Sequence, residues 1–477
     1  MQSGLWALCA VIIPLAGAFL LPLAGLLSAR LRNFLSLALV LASLAASIML
    51  VPGALEGRSA SFLVPGPLGL SFHLEADALA VFMALVSSLV GAIIILFSFD
   101  YISHYQNQNE YYLMAVLFLG AMMGLIFSAN LIFLYVFWEI TGIASWRLIG
   151  FYRSKTDVLR ADKAFLVTAF GALVMLLGIL AVYGLTGSFD MNDLKGRTLP
   201  WAISALLLVG MLSKSATLPF HTWLPDAGVA PSPVTALLHA AVLVKIGVYV
   251  FARVFLATFV LDESVRTAVA VIAAASALVS AGAALVDTDF KRIVAYSTVS
   301  QIAFIFLGLA TGSAVGAVGA LLYILMHGLA KAGLFLSAGI VEQNAGTKDI
   351  RKLGGLFRTM PITGVAFLFC AFSVMGIPPL GGFFGKYLVV ASAVDSGQVA
   401  TSAVFMFGAI LTILYLFRLF SRVFLGEPRG KQAIEGSPVM VACVVALAVL
   451  SLAAGLLVGW PSELARTAIS QMPGVAR

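Results

Sequence analysis

The sequence contains few charged residues. Only 10% of its 477 residues are Asp, Glu, Lys or Arg, whereas 61% are hydrophobic. This composition excludes an ordinary soluble globular protein, in which about 25% of residues are charged. No hydrophilic stretch is long enough to fold as a separate soluble domain, so any redox centre, nucleotide site or large binding surface would belong to another chain. The sequence therefore predicts a single membrane domain over residues 1–477.

Cysteine is also scarce. Cys9, Cys370 and Cys443 are isolated within apolar runs, without a CxxC pair or a neighbouring histidine that would complete a metal or cluster site. No GxxxxGK[ST] or GxGxxG phosphate loop follows a strand. We therefore expect no metal, no cofactor and no catalytic residue in this chain. The basic residues are spread over separate loops, which argues against binding to nucleic acid.

What the sequence does contain is a series of apolar runs, each long enough for a membrane-spanning helix of roughly 20 residues. These runs predict an all-α polytopic membrane protein with about fourteen transmembrane helices. The first run lacks a basic leader, so we expect a retained span and not a cleaved signal peptide. The predicted spans lie near residues 5–28, 34–52, 77–99, 112–128, 130–150, 163–185, 201–218, 233–258, 265–286, 293–311, 314–341, 361–391, 400–423 and 438–460.

Basic residues are concentrated in alternate loops, so the net charge of +7 reflects topology. The basic loops contain Arg30 and Arg32; Arg153, Lys155, Arg160 and Lys163; Lys291 and Arg292; Lys348, Arg351, Lys352 and Arg358; and Arg422, Arg429 and Lys431. Because cytoplasmic loops carry the excess of Lys and Arg, both termini are predicted on the non-cytoplasmic side of an inner or plasma membrane.

Several charged side chains lie inside the apolar runs. Each costs about 2.5–3.5 kcal/mol at the centre of a membrane helix, so several together indicate a path for charge. Burial disfavours the charged form of an amine or a carboxyl, which allows such groups to load and unload protons. Neighbouring groups also change each other's proton affinity. The charged residues in question are Glu139, Lys214, Lys245, Lys331 and Lys386.

Two segments interrupt the helical pattern in similar ways. In 212–226, Lys214 is followed by Pro219 and Pro225, and in 376–386 a Gly/Pro-rich stretch precedes Lys386. Paired broken helices in corresponding halves are typical of transporters built from inverted repeats, with the ion path near the midplane of the bilayer. The alternative is a pair of kinked helices whose lysines extend to the membrane surface.

Two further spans carry polar stripes. Lys245, Tyr249 and Arg253 are spaced by four and share one face of a helix, and His327 and Lys331 repeat this spacing. The resulting hypothesis is a proton-translocating row across the width of the protein. Its order is Glu139, Lys214, Lys245 or His239, Lys331 or His327, and Lys386.

Six segments together carry a specific resemblance. They are 137–140 with 148–151, 214–225 with its His-Thr-Trp-Leu-Pro core, 231–241, 289–301, His327 with Lys331, and 376–386. Along nearly its whole length the chain resembles the antiporter-like membrane subunits shared by respiratory complex I, energy-converting membrane-bound hydrogenases and Mrp-type cation/proton antiporters. The resemblance implies fourteen helices, an inverted pair of five-helix repeats, and proton translocation with Glu139, Lys214 and Lys386 at the principal positions.

With that resemblance, we expect the repeats near 112–258 and 265–423, flanked by helices within 1–99 and 438–460. His239 and Lys245 would form the connecting region. The lysine at position 386 is similar to the one in the distal complex I subunit, which is the large subunit farthest from the redox arm. The lysine at position 245 is instead more typical of the Mrp and hydrogenase branches of the family. Arg147 and Ala172 depart from the distal-subunit pattern, since a carboxylate is expected at the latter position.

Three functions remain open. The favoured one is a proton-pumping subunit of a redox-driven complex, either complex I-like or a membrane-bound hydrogenase, which performs no redox chemistry itself. The second is a component of an Mrp-like cation/proton antiporter, and the third is the membrane subunit of a proton-driven inorganic-carbon uptake complex that includes a zinc protein. In each case the expected partners are other membrane subunits, with or without peripheral redox subunits, and the transported ion is the proton, with sodium coupling undecided.

Overall fold

The computed structural model describes residues 2–67, 70–430 and 433–475. Lys431, from the last predicted basic loop, lies outside these residues. Within the described ranges, the framework of the molecule consists of sixteen helices of 12 or more residues: α1 (Gly4–Leu27), α2 (Ala29–Leu55), α3 (Ala78–Tyr101), α4 (Gln108–Phe127), α5 (Leu131–Ile149), α6 (Lys155–Thr186), α7 (Trp201–Lys214), α8 (Ser232–Thr258), α9 (Glu263–Val286), α10 (Phe290–Ala310), α11 (Ala314–Ala345), α12 (Pro361–Met375), α13 (Gly381–Asp395), α14 (Val399–Phe424), α15 (Pro438–Leu456) and α16 (Gly459–Ser470).

The helices confirm the predicted all-α membrane architecture. Within the described ranges, twelve of them are long and apolar enough to cross a membrane, and α7 and α12 are shorter apolar helices. Each of the fourteen predicted spans coincides with a helix, except that the span 361–391 is divided between α12 and α13.

Polar residues define where many of these helices begin. A side-chain oxygen at the N-cap accepts a hydrogen bond from a backbone N–H in the first turn, which satisfies a donor that has no partner within the helix. This arrangement fixes the start of each span at a loop. The capping residues are Asp77 for α3, Asn130 for α5, Ser154 for α6, Asp262 for α9, Asp289 for α10, Ser313 for α11 and Ser437 for α15.

A two-stranded hairpin, β1 (Ala60–Val64) and β2 (Phe72–Ala76), is an addition to the all-α prediction. Its strands are antiparallel, with Ala60 opposite Ala76. His73 of β2 bonds through Nδ1 to the Asp190 carboxylate at 2.6 Å. That hydrogen bond raises the pKa of the His73 imidazole above its ordinary value, which favours the imidazolium and strengthens the link between the hairpin and the loop after α6.

The loops divide between two faces of the molecule. On one face, Asp226 accepts hydrogen bonds from Lys163 and Arg292, both at 2.7 Å, and Glu110 pairs with Arg153. We call this the basic face, because the predicted basic loops that are described all lie on it. It is formed by the loops 28–33, 102–107, 150–154, 287–289, 346–360 and 425–430.

The opposite face carries the hairpin, and we call it the hairpin face. Gln471 donates to the Gly57 carbonyl there, and the Arg266 guanidinium donates to the Gly474 carbonyl. Gly4 packs against the Ser61 carbonyl of β1. Both ends of the described chain therefore lie on the hairpin face.

Helix α8 lies at the centre of the helical array. In α8, every one of the 18 consecutive residues that form its most apolar part is buried. The corresponding buried share is 94% in α10 and α11, but only 33% in α2 and 39% in α6 and α14. The peripheral helices leave leucine and phenylalanine side chains exposed on their outer surfaces. Of the five predicted charged residues, Lys245 lies on α8 and Lys331 on α11, and both are buried in the interior of the protein.

The predicted interruptions are confirmed. Helix α7 ends at Lys214, and the chain turns through Ala216, whose φ is 52°, before the short helix Trp223–Asp226. Helix α12 ends at Met375, and α13 begins at Gly381. Helix α8 is itself irregular, with π-helical turns at Leu237–Ala241 and Ala252–Thr258. These three breaks lie at positions that orient buried lysines.

We predict that Gly382→Ala destabilises the break before Lys386. A methyl group at Gly382 would lie 1.8 Å from the Ser373 carbonyl oxygen, so α12 and α13 must separate. The expected cost is about 1–3 kcal/mol, measured as a lower thermal unfolding temperature of the protein in detergent. The matched control is Gly282→Ala in α9, where a methyl group meets nothing within 4 Å and the better helix propensity of alanine stabilises slightly. Equal unfolding temperatures for the two variants would contradict the close approach.

Candidate functional site

The four predicted lysines share one mode of attachment. All four are buried, and each Nζ donates to a backbone carbonyl: Lys214 to Trp138 at 3.1 Å, Lys245 to His239 at 2.9 Å, Lys331 to Val294 at 3.0 Å and Lys386 to Val374 at 2.7 Å. Among the described residues, none of the four has a carboxylate oxygen within 4.0 Å. A carbonyl dipole offsets part of an ammonium charge but does not neutralise it.

Lys214 and Glu139 face a common space beside Gly142. A β-carbon at Gly142 would lie 3.4 Å from Lys214 Nζ and 4.0 Å from Glu139 Oε2, so both charged groups border this glycine. Lys214 Nζ also lies 5.2 Å from the centre of the Trp138 ring, and Glu139 Oε1 is buried without a hydrogen-bond partner among the described residues. The two groups form no direct ion pair, because no Glu139 carboxylate oxygen lies within 4.0 Å of Lys214 Nζ. The sequence analysis did not identify Gly142.

Lys245 and His327 form a direct contact between α8 and α11. Lys245 Nζ lies 2.8 Å from His327 Nδ1, and the second ring nitrogen of His327 is buried without a partner. The amine and the imidazole thus share one hydrogen bond, and a protonated amine requires a neutral acceptor nitrogen on the ring. The His239 ring takes no part in this contact and lies against the Phe335 ring at a centroid distance of 4.4 Å, with the two ring planes tilted by 33°. The structure therefore pairs Lys245 with His327. In the sequence analysis, Lys245 was an alternative to His239, and His327 an alternative to Lys331.

Lys331 is bound to a hydroxyl relay that the sequence analysis missed. Its Nζ donates to Ser297 Oγ at 2.6 Å, and the Tyr415 hydroxyl donates to the same oxygen at 2.8 Å. Ser297 lies on α10 and Tyr415 on α14, so three helices meet at this point. Hydroxyl groups both donate and accept hydrogen bonds, which makes them suitable for transferring protons to and from an amine.

The relay continues toward Lys386. Gln301 donates from Nε2 to the Tyr415 hydroxyl at 3.3 Å and accepts at Oε1 from the Tyr323 hydroxyl at 2.6 Å. The Tyr323 ring lies 5.7 Å from Lys386 Nζ, which also lies 4.7 Å from the Phe304 ring. Part of this relay has a signal in the sequence, because residues four apart lie on the same face of a helix. This spacing relates Ser297 to Gln301 on α10. It also relates Tyr323, His327 and Lys331 on α11. No local pattern marked Tyr415.

The row is not continuously hydrogen-bonded. Among the described residues, direct bonds join Lys245 to His327 and Lys331 through the relay to Tyr323, whereas no bond joins Lys214 to Lys245. Between those two lysines, the Ser215 hydroxyl donates to the Val244 carbonyl at 3.3 Å. Of the seven predicted residues, hydrogen bonds connect Lys245 to His327 and to the His239 carbonyl, and Lys331 to the hydroxyl relay. Among the described residues, no hydrogen bond joins Glu139, Lys214 or Lys386 to another member of the row.

The two departures from the distal-subunit pattern lie outside this row. Arg147 Nε donates to Glu110 at 2.8 Å near the basic face, where both side chains are partly exposed. Ala172 is buried on α6. Arg147 therefore has its own counter-charge and does not need Glu139, which lies about two helical turns away.

Arg253 closes the polar side of α8 at the hairpin face. Its guanidinium donates to both carboxylate oxygens of Asp77, at 2.5 and 2.7 Å, and to the Tyr249 hydroxyl. The predicted shared face of Tyr249 and Arg253 is thus occupied by a buried bidentate ion pair. Within residues 2–67, 70–430 and 433–475, no group of three or more His, Cys, Asp or Glu side chains is arranged to hold a metal ion.

Comparison with known proteins places this geometry in a family. The model of the family described as "NADH:quinone oxidoreductase/Mrp antiporter, TM" matches residues 128–412, and the model described as "NADH-Ubiquinone oxidoreductase (complex I), chain 5 N-terminus" matches residues 62–112. The first match covers more than half of the chain and contains every predicted residue of the row.

Individual relatives agree with the family models. The chain is 35% identical over 456 residues to NAD(P)H-quinone oxidoreductase subunit 5, organellar chromatophore 1, of Paulinella chromatophora, covering 88% of this chain and 68% of the relative. It is 33% identical over 423 residues to Na(+)/H(+) antiporter subunit A1 of Staphylococcus saprophyticus, covering 81% and 52%. The chain thus spans about two thirds of the first relative and about half of the second.

A solved structure shares the fold. A chain of the Mrp complex from Dietzia sp. superposes with a TM-score of 0.90 at 25% sequence identity, covering 98% of this chain and 97% of that one. With the family model and the 35% identical relative, this agreement shows that the chain belongs to the antiporter-like membrane subunit family of NADH:quinone oxidoreductases and Mrp antiporters.

Proposed function

We propose that this chain is the proton-translocating membrane subunit of a redox-driven complex, either a complex I-like oxidoreductase or a membrane-bound hydrogenase. The observation that carries the proposal is the set of four buried lysines, each bonded to a carbonyl and none to a carboxylate. Such amines exchange protons when a neighbouring charge moves. The chain acts as an ion-translocating subunit, and the redox chemistry belongs to partner chains.

In this proposal, the charge state of one amine sets that of the next. A protonated Lys214 attracts Glu139 across the space beside Gly142, and a proton on Lys245 is shared with His327. Further along the row, Lys331 passes its proton through the Ser297 and Tyr415 hydroxyls. Because the electrostatic interaction is strong in a low-dielectric interior, a change at one end affects the proton affinity at the other.

We also propose the orientation and the repeats. The shared basic face supports a cytoplasmic location for those loops and a non-cytoplasmic location for both termini, in an inner or plasma membrane. The breaks after Lys214 and before Lys386 support two repeats, near 112–258 and 265–423, flanked by helices within 1–99 and 438–460.

An Mrp-like cation/proton antiporter subunit is the second candidate. The high similarity to a chain of the Dietzia Mrp complex favours it, as do the relatives named Na(+)/H(+) antiporter subunits. In that function the same row would be driven by the proton gradient and would exchange protons for a cation. Other membrane subunits are the expected partners in both cases.

Replacing Lys214 or Glu139 by alanine is predicted to reduce proton-coupled activity by at least about tenfold, because each removes a charge that its neighbour senses. The measurement is proton translocation by the assembled complex in proteoliposomes, with subunit content determined on the same sample. The matched control is Lys155→Ala, which removes an exposed lysine at the start of α6. Normal pumping by a fully assembled Lys214→Ala or Glu139→Ala complex would remove that residue from the pathway.

The kind of complex is tested by isolating the tagged chain in mild detergent from its native membrane. We expect redox subunits in stoichiometric amounts, with iron–sulfur or flavin absorbance. A cofactor-free assembly of membrane subunits would contradict the redox-driven proposal and favour the antiporter. Copurification of a zinc protein without redox subunits would instead identify an inorganic-carbon uptake complex.

A further inference from the structure

The outer surface of α14 changes from apolar to basic toward the end of the helix. Six side chains there form two columns in which successive members are four residues apart, so the columns lie side by side on one face of the helix. The columns are Ile413, Phe417 and Ser421, and Leu414, Arg418 and Arg422. Polarity therefore increases toward the basic face from Ile413 to Arg422, over about 14 Å of the helix axis.

The same six side chains line a groove of about 290 Å³, which we call the α14 groove. Its apolar side chains are open to the outside, since Ile413 is 43%, Leu414 51% and Phe417 56% exposed. Helix α14 is long and apolar enough to cross a membrane, so these side chains lie at the depth of the lipid acyl chains. A molecule that fills the groove must be apolar toward the membrane interior and polar at the basic face.

The two arginines of the α14 groove have no carboxylate partner. Among the described residues, no Asp or Glu oxygen lies within 4.0 Å of Arg418 or Arg422. Several other arginines are paired in this way: Arg147 and Arg153 with Glu110, Arg253 with Asp77, and Arg292 with Asp226 and Asp287. The groove thus carries two positive charges that no neighbouring carboxylate neutralises.

Arg418 is held in place with donors to spare. Its Nη1 and Nη2 donate to the carbonyls of Ala284 and Asp287 at the end of α9, at 3.4 and 2.9 Å. A guanidinium has five N–H donors in a planar fork, so further donors remain available. The Arg422 side chain, one turn nearer the basic face, is exposed and makes no hydrogen bond among the described residues. Because a guanidinium binds phosphate through two parallel hydrogen bonds, a phosphate group suits this pair.

We propose that the α14 groove binds an anionic phospholipid from the membrane leaflet at the basic face. The phosphate lies between Arg418 and Arg422, and an acyl chain lies along Leu414 and Phe417. Anionic lipids are attracted to basic residues at the membrane surface, and the order of headgroup and chain matches the order of the side chains along α14. A free phosphate would leave the apolar part of the groove unfilled. Such binding does not depend on which ion the row transports.

The test uses Arg422→Gln, which removes an exposed charge without breaking a hydrogen bond of the protein. The complete complex is delipidated in a neutral detergent and titrated with phosphatidylglycerol, and bound lipid is measured by native mass spectrometry. The dissociation constant is expected to rise at least about tenfold in the variant, because a charge-assisted hydrogen bond is lost. Phosphatidylcholine, which has no net charge, should bind weakly to both proteins. The matched control is Arg358→Gln, which removes an exposed arginine of the basic face outside the groove and should keep the wild-type affinity.

A second variant tests the apolar part of the groove. Leu414→Trp fills the groove and keeps both arginines, so weaker phosphatidylglycerol binding would show that the acyl chain is held as well as the phosphate. Its control is Val449→Trp, which adds the same bulk at an exposed valine in a groove between α12 and α15 where every lining residue is apolar. This control should bind phosphatidylglycerol as the wild type does.

Three results would overturn the lipid site. Unchanged phosphatidylglycerol affinity in Arg422→Gln, or an equal loss in Arg358→Gln, would show that the charge of the groove has no specific effect. Wild-type affinity in Leu414→Trp would show that only a phosphate is held. Absence of bound phosphatidylglycerol in the wild type, with a membrane subunit lost from the Arg422→Gln complex, would show that a partner chain and not a lipid covers the groove.

Discussion

The structure depends on how amines are held in a medium that disfavours charge. Lys214, Lys245, Lys331 and Lys386 each meet a carbonyl oxygen at 2.7–3.1 Å, and among the described residues none meets a carboxylate. A full counter-charge would fix the ammonium form, and a purely apolar site would fix the neutral amine. A carbonyl dipole lies between these extremes, so it leaves both forms within reach of a modest change in local potential.

Helix breaks provide two of these four carbonyls, whereas those of Trp138 and Val294 lie within regular helices. In a regular helix, every interior carbonyl already accepts an intrahelical hydrogen bond, whereas the last carbonyls have no partner. Val374 lies in the last turn of α12, and His239 lies in a π-helical turn of α8. Interrupted helices therefore supply acceptors at membrane depth where the protein interior surrounds them. Close packing at Gly382 brings α12 and α13 together beside Lys386.

Much of this arrangement is predictable from sequence, because its signals are local. The Gly/Pro segments after Lys214 and before Lys386 mark the breaks, and apolar runs mark the spans. The partnership of Lys245 with His327, 82 residues apart, depends on packing between two helices and has no local signal. Tyr415 is similar, since only its position beside Ser297 makes it part of the relay. The sequence analysis missed the hairpin because each of its strands has only five residues. Strands this short give too few alternating positions to be recognised beside long apolar spans.

The central claim is that a buried amine must lose and regain its proton. The most direct measurement is proton translocation by the assembled complex carrying Lys214→Arg. Arginine preserves the positive charge but remains protonated, so the account predicts a loss of at least about tenfold with subunit content unchanged. Translocation at the wild-type rate would contradict the account, because it would show that a permanent charge at this position is sufficient.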